Sequence, residues 1–509
     1  MKNFRSGLAD YDYLYTGTIQ GIDRVGIPTI HMEDGPQGFR CEDPANYGTT
    51  TAWPSAMTIA AAWDQDLLAK WGKAMSDEFK YKGASIILGP GVGVARVPTG
   101  GRNFEYLCGE DPSFCSLLVP SLIKSIQDNG IIANAKHFVN NEIEKDRQQM
   151  SSNVGERARF EIYYPPFEAA ADAGVLSVMC SYNRVNDVYA CENSETLNHL
   201  RENLGFDGWV MSDWWATMST GKAIKAGLDQ EMPYGYWYQF SNMTAALESG
   251  EINEADIDRS VSRILTAMYA IGVFDRPAVG DRKANVTSDA HNQLAREIAA
   301  KSTVLLQNKN YLLPLNKNSL GKCVAVFGDE DTVHGGGSGS VEGPYIITPK
   351  MGLVNALAGT QTEVIYSDGK DLAAAKDLAA SCETAVVVVA TNSGEGDDRA
   401  NLSLDGNYDS LVSTVAAVNP RTIVSVRTPG AVLMPWTNEV GAILVSWLGG
   451  QEAGNGLADV LFGKVNPYAR LHVSMPNKEN EVGFTPEQYP GVGNPPEASY
   501  SEELLIGYR

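Results

Sequence analysis

The chain has 509 residues, 43% of them hydrophobic, which is enough to bury two sizeable cores in a globular protein. Its 62 Asp and Glu residues outnumber its 40 Lys and Arg residues, and the net charge of -22 comes without any basic block, which argues against a nucleic-acid partner. No apolar run reaches the roughly 18 residues that a membrane span requires, so we also predict no membrane partner.

Cysteine and histidine usage does not suggest a metal site. The seven cysteines form no CxxC pair, and we predict that they are reduced thiols without structural zinc. The six histidines form neither an HExxH motif nor a tight cluster, so we predict no metal and no cofactor. Because the first residues, MKNFRSGLADYDYL, lack the apolar core of a secretory signal, we predict a cytoplasmic location for the chain as given, and a secreted or periplasmic one if a leader has been removed.

Short apolar runs that end in polar residues or glycine alternate with helical segments in the first half of the chain. The apolar runs are, in chain order, IPTIHMED, SIILGPG, IIANAKHF, VLSVMCSYN and GWVMSDW. Between them lie segments with helical spacing, among them DQDLLAKWGKAMSDEF, CSLLVPSLIKSIQDNG and ARFEIYYPPFEAAADAG. This alternation predicts an α/β fold with a parallel sheet, and over roughly 250 residues the common closed form is a (β/α)8-type barrel.

Polar side chains stand where these predicted strands end. They are Asp34, Lys136, His137, Tyr182 and Asp213. In a barrel, the C-terminal ends of the strands share one face, so we expect these side chains to meet at one mouth. Each has a structural alternative when taken alone: Asp213 can cap a helix, and Lys136 and His137 can form a salt bridge and a hydrogen-bonded histidine at the rim.

A second domain follows the barrel pattern. After AMYAIGVFDRP, a polar stretch predicts a linker, so we divide the chain into a barrel at 1–275, a linker at 276–300 and a second domain at 301–509. The apolar runs CVAVFGD, TEVIYSDG, TAVVVVATN, RTIVSVRTPG and GAILVSWLGG, separated by helical segments, predict an open α/β sandwich. The glycine-rich and acidic loop TNSGEGDDRANLSLDG follows one of these strands and could reach over the barrel.

Several longer motifs occur in a fixed order along nearly the whole chain. They are MEDGPQGFR, GGRNFEYLCGEDP, AKHFVNNEIEKDR, GFDGWVMSDW, STVLLQNKNYLLPL, GGGSGSV and SGEGDDR. Together these motifs resemble those of glycoside hydrolase family 3. The resemblance implies a barrel followed by an α/β sandwich domain that supplies part of the active site.

The resemblance also implies roles for individual residues. Asp213 matches the position of the family's catalytic nucleophile, and Glu395 of SGEGDDR matches that of its general acid/base. The positions that hold the non-reducing sugar are matched by Asp34, Arg40, Arg102, Lys136, His137, Arg147, Tyr182, Trp214 and Ser338, with Arg40 and Ser338 nearer the rim. We predict that Trp215, in contrast to Trp214, serves packing, because adjacent residues leave a strand end in different directions.

The chemistry implied by the resemblance makes opposite demands on the two carboxyl groups. Retaining glycoside hydrolysis needs one ionised group that attacks and one protonated group that releases the leaving alcohol, about 5 to 5.5 Å apart. The lysine and arginine side chains of the mouth favour an ionised Asp213. Asp397 and Asp398, next to Glu395, are expected to keep Glu395 protonated by like-charge repulsion.

The function implied is that of a retaining, exo-acting β-glycosidase. We favour a β-glucosidase that removes non-reducing terminal β-D-glucose by double displacement, from β-linked gluco-oligosaccharides or from aryl or alkyl β-glucosides. A β-xylosidase and, from another class, a non-catalytic sugar-binding protein are the alternatives. Many members of the family continue beyond the point that matches YSEELLIGYR, so we expect an additional C-terminal segment or a homo-oligomer contact to cover an exposed sheet edge.

Overall fold

The computed structural model describes residues 15–275 and 280–509. Its α-helices are α1 (Ala56–Ala60), α2 (Gln65–Tyr81), α3 (Pro112–Gln127), α4 (Glu156–Ala158), α5 (Pro165–Asp172), α6 (Ser194–Asn198), α7 (Gly221–Ala226), α8 (Phe240–Glu248), α9 (Glu254–Ala270), α10 (Asp289–Lys301), α11 (Pro349–Ala356), α12 (Leu372–Ser381), α13 (Tyr408–Ala416) and α14 (Ala453–Leu461). Its strands are β1 (Gly17–Ile19), β2 (Ile30–Asp34), β3 (Ile86–Leu88), β4 (Ile132–Phe138), β5 (Ser151–Asn153), β6 (Ser177–Cys180), β7 (Arg184–Val185), β8 (Val188–Tyr189), β9 (Trp209–Ser212), β10 (Val304–Asn308), β11 (Cys323–Gly328), β12 (Glu363–Ser367), β13 (Thr384–Ala390), β14 (Thr422–Arg427), β15 (Ala442–Val445) and β16 (Glu497–Ser499).

The first half of the chain builds a curled sheet in the order β1-β2-β3-β4-β6-β9. Neighbouring strands from β2 to β9 are parallel, and an isolated parallel bridge between Met211 and Gln230 continues the sheet beyond β9. The prediction of a barrel-type sheet is confirmed. The regular eight-fold repeat is not found in the part of the chain that the structure describes, because β1 pairs with β2 in the antiparallel direction. The connection between them is too short for the crossover of a dozen or more residues that a parallel pair needs.

The interior of the curled sheet is filled by large apolar side chains. They come from alternate strand positions and include Ile30, Met32, Ile86, Leu88, Ile132, Met179, Trp209 and Met211, all at most 2% exposed. Because this cluster closes the sheet interior, the strand ends form the floor of a mouth rather than a channel. Helices α2, α3 and α5 pack on the outside, and α2 and α3 contribute buried aromatic and aliphatic side chains to a second cluster.

The second half of the chain forms a sheet in the order β10-β15-β14-β13-β11-β12. All its neighbouring strands are parallel except β10, which is antiparallel to β15. Helices α12 and α13 contribute to the core on one face, and α11 and α14 to the core on the other. This confirms the predicted α/β sandwich. The homo-oligomer contact or additional segment at a sheet edge stays a prediction.

The chain crosses twice between the two sheets. Helix α10 covers the second half of the range 276–300, where we predicted a linker, and Arg296 on α10 pairs with Asp459 on α14 at 2.6 Å. After α14 the chain returns to the first domain, where β16 pairs with β5 and the buried Tyr500 donates a hydrogen bond to Glu142 at 2.7 Å. The boundaries of our domain division stay predictions. No described helix has the length and apolar character needed to cross a bilayer.

Six of the seven cysteines form disulfides, so the prediction of reduced thiols is wrong. The pairs are Cys108–Cys115, Cys180–Cys191 and Cys323–Cys382. Their partners are 7, 11 and 59 residues apart in the sequence, but the fold brings the Cα atoms of each pair within 5.2 Å. Sequence spacing did not reveal them because the pairing depends on tertiary proximity. The odd cysteine, Cys41, is buried and free.

Candidate active site

A cavity of about 720 Å³ lies at the carboxyl ends of the first sheet's strands. The sequence-predicted site residues that line it are Asp34, Arg40, Arg102, Lys136, His137, Arg147, Tyr182, Asp213, Trp214, Ser338 and Glu395, which is all eleven of them. Nine come from the ends of β2, β4, β6 and β9 or from the loops that follow β2, β3, β4, β6 and β9. Loops after β11 and β13 of the second sheet bring the remaining two, Ser338 and Glu395.

Asp213 follows β9 directly and is only 5% exposed. Its Oδ1 accepts a hydrogen bond from the amide of Trp214 at 2.7 Å, and its Oδ2 lies 3.5 Å from Nε2 of His137. Burial raises the pKa of Asp213, although Arg102 and Arg147 oppose the rise. Oδ2 is buried and accepts no hydrogen bond from the residues that the structure describes.

His137 is a neutral neighbour of Asp213 rather than a charged one. Burial holds the pKa of His137 well below its usual range, and the positive charges of Arg102 and Lys136 lower it further. The other ring nitrogen, Nδ1, lies 3.0 Å from the hydroxyl of Tyr106. A neutral imidazole in this position can hydrogen-bond a ligand without bringing a charge.

Glu395 is held as a carboxylate, contrary to the expectation that it is kept protonated. Its Oε1 lies 2.8 Å from Nη2 of Arg147 and 3.5 Å from Nη1 of Arg102, and its Oε2 accepts from the amide of Ser338 at 3.2 Å. Burial acts to raise the pKa of Glu395, but the attraction of Arg102, Arg147 and Lys136 outweighs it and lowers the pKa well below its usual range. The loop enters a cationic pocket, which the local sequence does not reveal.

The two aspartates that follow Glu395 in the sequence do not line the cavity with it. Asp397 is exposed, and the carboxylate of Asp398 accepts hydrogen bonds from the backbone amides of Gly101 and Glu144 at 3.0 and 3.2 Å. Proximity in sequence therefore predicted the wrong neighbours, because the loop turns these side chains away from the cavity.

A buried network stabilises the polar side of the cavity. Arg102 donates to Oε2 of Glu105 at 2.9 Å and to the hydroxyl of Ser338 at 3.1 Å, and that hydroxyl donates to Oε1 of Glu105 at 2.8 Å. Burial raises the pKa of Asp34 to about 6, although Arg40 attracts its charge. The network joins the two domains across the site and presents both donors and acceptors to a polyhydroxylated ligand.

A cluster of three carboxylate side chains near the cavity has the spacing of a possible cation site. Among residues 15–275 and 280–509, Glu33, Asp34 and Glu42 have oxygens within 4.8 Å of one another. Arg40 already supplies positive charge there, because it lies 3.4 Å from Oδ2 of Asp34 and also pairs with Glu42. Glu33 accepts a hydrogen bond from the backbone amide of Thr16 at 3.2 Å. We therefore assign no metal to this group.

Both tryptophans after Asp213 line the cavity, although we expected this only of Trp214. Trp214 lines the cavity but also packs partly into the apolar core under it, and its indole donates to the carbonyl of Thr16 at 3.3 Å. Trp215, which we predicted to serve packing, is 54% exposed and lines the cavity. Its indole Nε1 donates to the hydroxyl of Tyr234 at 3.4 Å. The backbone of Trp215 has φ of 64°, so the chain turns sharply and sends the second ring outward.

Several cavity residues were missed by the sequence analysis. Besides Trp215 they are Tyr15, Thr16, Glu42, Met179, Pro233, Tyr234 and Gly235. Three of them belong to the aromatic-rich stretch EMPYGYWYQF, whose density of rings was the available signal. The others have ordinary local patterns, and only the fold brings them to the mouth.

Comparison with known proteins gives matches along the whole described chain. The N terminal domain of glycosyl hydrolase family 3 matches residues 14–267, and the C-terminal domain of the same family matches residues 303–508. "Probable beta-glucosidase L" of Aspergillus terreus is 35% identical over 97% of this chain and 71% of its own length, and "Thermostable beta-glucosidase B" of Acetivibrio thermocellus is 35% identical over 96% and 66%. The chain therefore spans about two thirds of the length of these relatives.

Solved structures agree with these matches. A beta-glucosidase from Streptomyces venezuelae, in complex with D-glucose, has a TM-score of 0.91 at 30% identity. The match covers 97% of this chain and 79% of the Streptomyces chain. A beta-glucosidase from Chaetomella raphigera has a TM-score of 0.88 at 32% identity, over 100% of this chain and 77% of its own.

Proposed function

Because the chain belongs to glycoside hydrolase family 3 and is a glycoside hydrolase, we propose that it is a β-glucosidase that removes non-reducing terminal β-D-glucose. The observation that carries this proposal is that one cavity is lined by Asp213, Glu395 and the nine other predicted residues. The substrates are β-linked gluco-oligosaccharides or aryl or alkyl β-glucosides. Relatives named as beta-glucosidases support the choice of sugar.

In the proposed reaction, Asp213 is the nucleophile. A carboxylate oxygen of Asp213 forms a bond to the anomeric carbon while the bond from that carbon to the leaving oxygen breaks, and water later releases the sugar with the anomeric configuration retained. Arg102 and Arg147 favour the ionised Asp213 that this attack needs. The neutral His137 beside Oδ2 is free to hydrogen-bond a sugar hydroxyl.

Glu395 is the proposed acid/base, and its ion pairs require an explanation. An acid must carry a proton when the leaving oxygen departs, yet Arg147 and Arg102 hold the free Glu395 as a carboxylate. Arg147 has a second carboxylate partner, Glu144, whose Oε2 lies 2.8 Å from its Nη1. We propose that a bound sugar competes for Arg147 and so weakens its pairing with Glu395. The pKa of Glu395 then rises towards the range of a general acid.

Replacing Arg147 by Gln is expected to move the pH profile of kcat/KM to higher pH. Arg147 lowers the pKa of both Asp213 and Glu395, so its loss raises both. The profile of kcat/KM follows the free enzyme, in which the pKa of Glu395 lies below that of Asp213, and both limbs move up because both pKa values rise. The measurement is the pH dependence for an alkyl β-glucoside. Arg157→Gln, at an exposed helical ion pair, is the control, and an unmoved profile in the Arg147 variant contradicts the proposed coupling.

Substrate choice is tested with the wild type on matched aryl β-glucoside and aryl β-xyloside. We expect kcat/KM to favour the glucoside by about 10-fold or more, as contacts to one additional substituent commonly allow. A preference for the xyloside would make the β-xylosidase alternative correct. Binding of glucose by calorimetry without hydrolysis of either compound would instead support a sugar-binding protein.

We also propose that the chain works in an oxidising compartment, as a secreted or periplasmic protein does. Three disulfides support this, because such bonds persist outside the reducing cytosol. Thiol titration of the denatured chain, purified from its natural source with free thiols blocked on lysis, should detect only the free Cys41. Detection of all seven cysteines as thiols would favour the cytoplasm.

A further inference from the structure

The loop that carries Glu395, residues 393–399, lies directly against the barrel. We call it the acid/base loop. The hydroxyl of Ser393 donates to the carbonyl of Gly101 at 2.7 Å, and the amide of Arg399 donates to the carbonyl of Thr99 at 2.9 Å. A Cβ placed on Gly101 would lie 1.9 Å from the carbonyl oxygen of Asp397, so the two backbones are in contact. Small displacements of either segment therefore move the other.

Asp398 fastens the acid/base loop to the barrel from the loop side. Its Oδ1 accepts from the amides of Gly101 and Glu144 at 3.0 and 3.2 Å. Its Oδ2 lies 3.5 Å from the amide of Lys145 and 3.3 Å from the hydroxyl of Tyr489. Both oxygens therefore face donors only, and the backbone of two barrel loops is held by one side chain.

Glu144 fastens the same two segments from the barrel side. It is 3% exposed, and its Oε2 accepts from the amide of Gly396 at 2.9 Å and from Nη1 of Arg147 at 2.8 Å. Asp398 thus binds the backbone at Glu144, while Glu144 binds the backbone two residues before Asp398. The two side chains form a reciprocal clamp across the domain boundary, and Glu395 directly precedes the clamped Gly396.

We propose that Asp398 and Glu144 are positioning residues that set the carboxyl group of Glu395 for proton transfer to the leaving oxygen. Neither lines the cavity, so they act through Glu395 and Arg147 rather than on the substrate. Misplacement of a reacting group by about 1 Å can lower a rate by about 100-fold. The clamp rests on the proposed function, because it matters only if Glu395 donates a proton.

The first test replaces Asp398 by Asn, with Asp397→Asn as the matched control in the same loop. The NH2 group of an asparagine at position 398 would face either the amide of Lys145 or the amides of Gly101 and Glu144, so at least one amide loses its acceptor in either orientation. Asp397 is exposed. The measurement is kcat/KM for an alkyl β-glucoside, whose departure needs an acid, and for 2,4-dinitrophenyl β-glucoside, whose departure does not. We expect about a 10- to 100-fold loss on the alkyl compound in the Asp398 variant and little loss on the activated one.

The ratio of the two kcat/KM values is the deciding quantity, because the concentration of folded enzyme cancels from it. A ratio equal to that of the wild type would overturn the clamp even if the variant is less stable. An equal change in Asp397→Asn would also overturn it, because the effect would then come from loop charge alone. A wild type that hydrolyses neither compound would overturn the proposed function and the clamp together, while an active wild type with an unchanged variant ratio overturns the clamp alone.

A second pair of variants tests the barrel half of the clamp. Glu144→Ala removes the acceptor of Gly396 and Arg147, and it should change the ratio as Asp398→Asn does. Glu144→Gln keeps a carbonyl oxygen for both donors. Its ratio of kcat/KM values on the two substrates should therefore lie much closer to the wild-type ratio than that of Glu144→Ala. If Ala and Gln at this position give the same ratio, hydrogen bonding by Glu144 does not position the loop.

Discussion

Asp213→Ala is expected to lose hydrolysis of alkyl and activated aryl β-glucosides alike, by about 10⁴-fold or more, as loss of the nucleophile does in other enzymes with covalent intermediates. The loss should not depend on the leaving group, because bond formation at the anomeric carbon precedes release of every sugar. Asp213 is buried at the end of β9, with one oxygen held by the amide of Trp214. The measurement is kcat/KM on both compounds.

The matched control is Asp207→Ala, an exposed aspartate just before β9, at its opposite end. It should keep wild-type rates within about 3-fold, as surface substitutions usually do. Peptide mapping after incubation with a 2-deoxy-2-fluoro-β-glucoside, which slows release of the covalent sugar, should place the label on Asp213. Label on another carboxylate, or an active Asp213→Ala, would show that the nucleophile is not this residue.

Glu395→Ala is expected to produce a loss that depends strongly on the leaving group. An alkyl β-glucoside should lose about 10²- to 10⁴-fold in kcat/KM, the range for removal of a general acid, while a dinitrophenyl β-glucoside should lose far less. Added azide should accelerate turnover of the activated substrate and yield a β-glucosyl azide. Azide needs no general base to attack the covalent intermediate, and the β product reports that retention is preserved.

The two variants together separate the roles. Azide should not restore a β-glucosyl product in Asp213→Ala, because that variant forms no intermediate for azide to attack. Asp397→Asn again controls for the charge of the loop, since its side chain is exposed and adjacent. If Glu395→Ala behaves like the wild type on the alkyl compound, the acid/base lies elsewhere and the acid/base loop has a structural role.

Local pattern was sufficient for much of the fold and for part of the site. Apolar runs that end in polar residues predicted β2, β4, β6 and β9, because the burial of a strand and the position of its end both show in the type of consecutive residues. In parallel sheets those ends share one face, so Asp34, Lys136 and Asp213 could be predicted to meet. Glu395 could be found only through the motif SGEGDDR, since an acidic glycine-rich loop is by itself typical of a solvated surface.

The protonation states and cross-links could not be predicted in the same way. Arg147 and Glu395 are 248 residues apart in sequence but 2.8 Å apart in space, and that ion pair reversed the expected pKa shift of Glu395. The disulfides and the outward turn of Trp215 likewise depend on distances and backbone angles between segments.

Contiguous motifs and short-range periodicity were therefore enough to predict the family, most of the central strands and helices, and eleven of the side chains that line the cavity. The pairing of carboxylates with guanidinium groups, the pairing of the cysteines and the clamping of the acid/base loop depend instead on how the chain folds. Electrostatic and hydrogen-bond energies depend on separations of a few ångströms, and chain folding sets those separations independently of distance along the sequence.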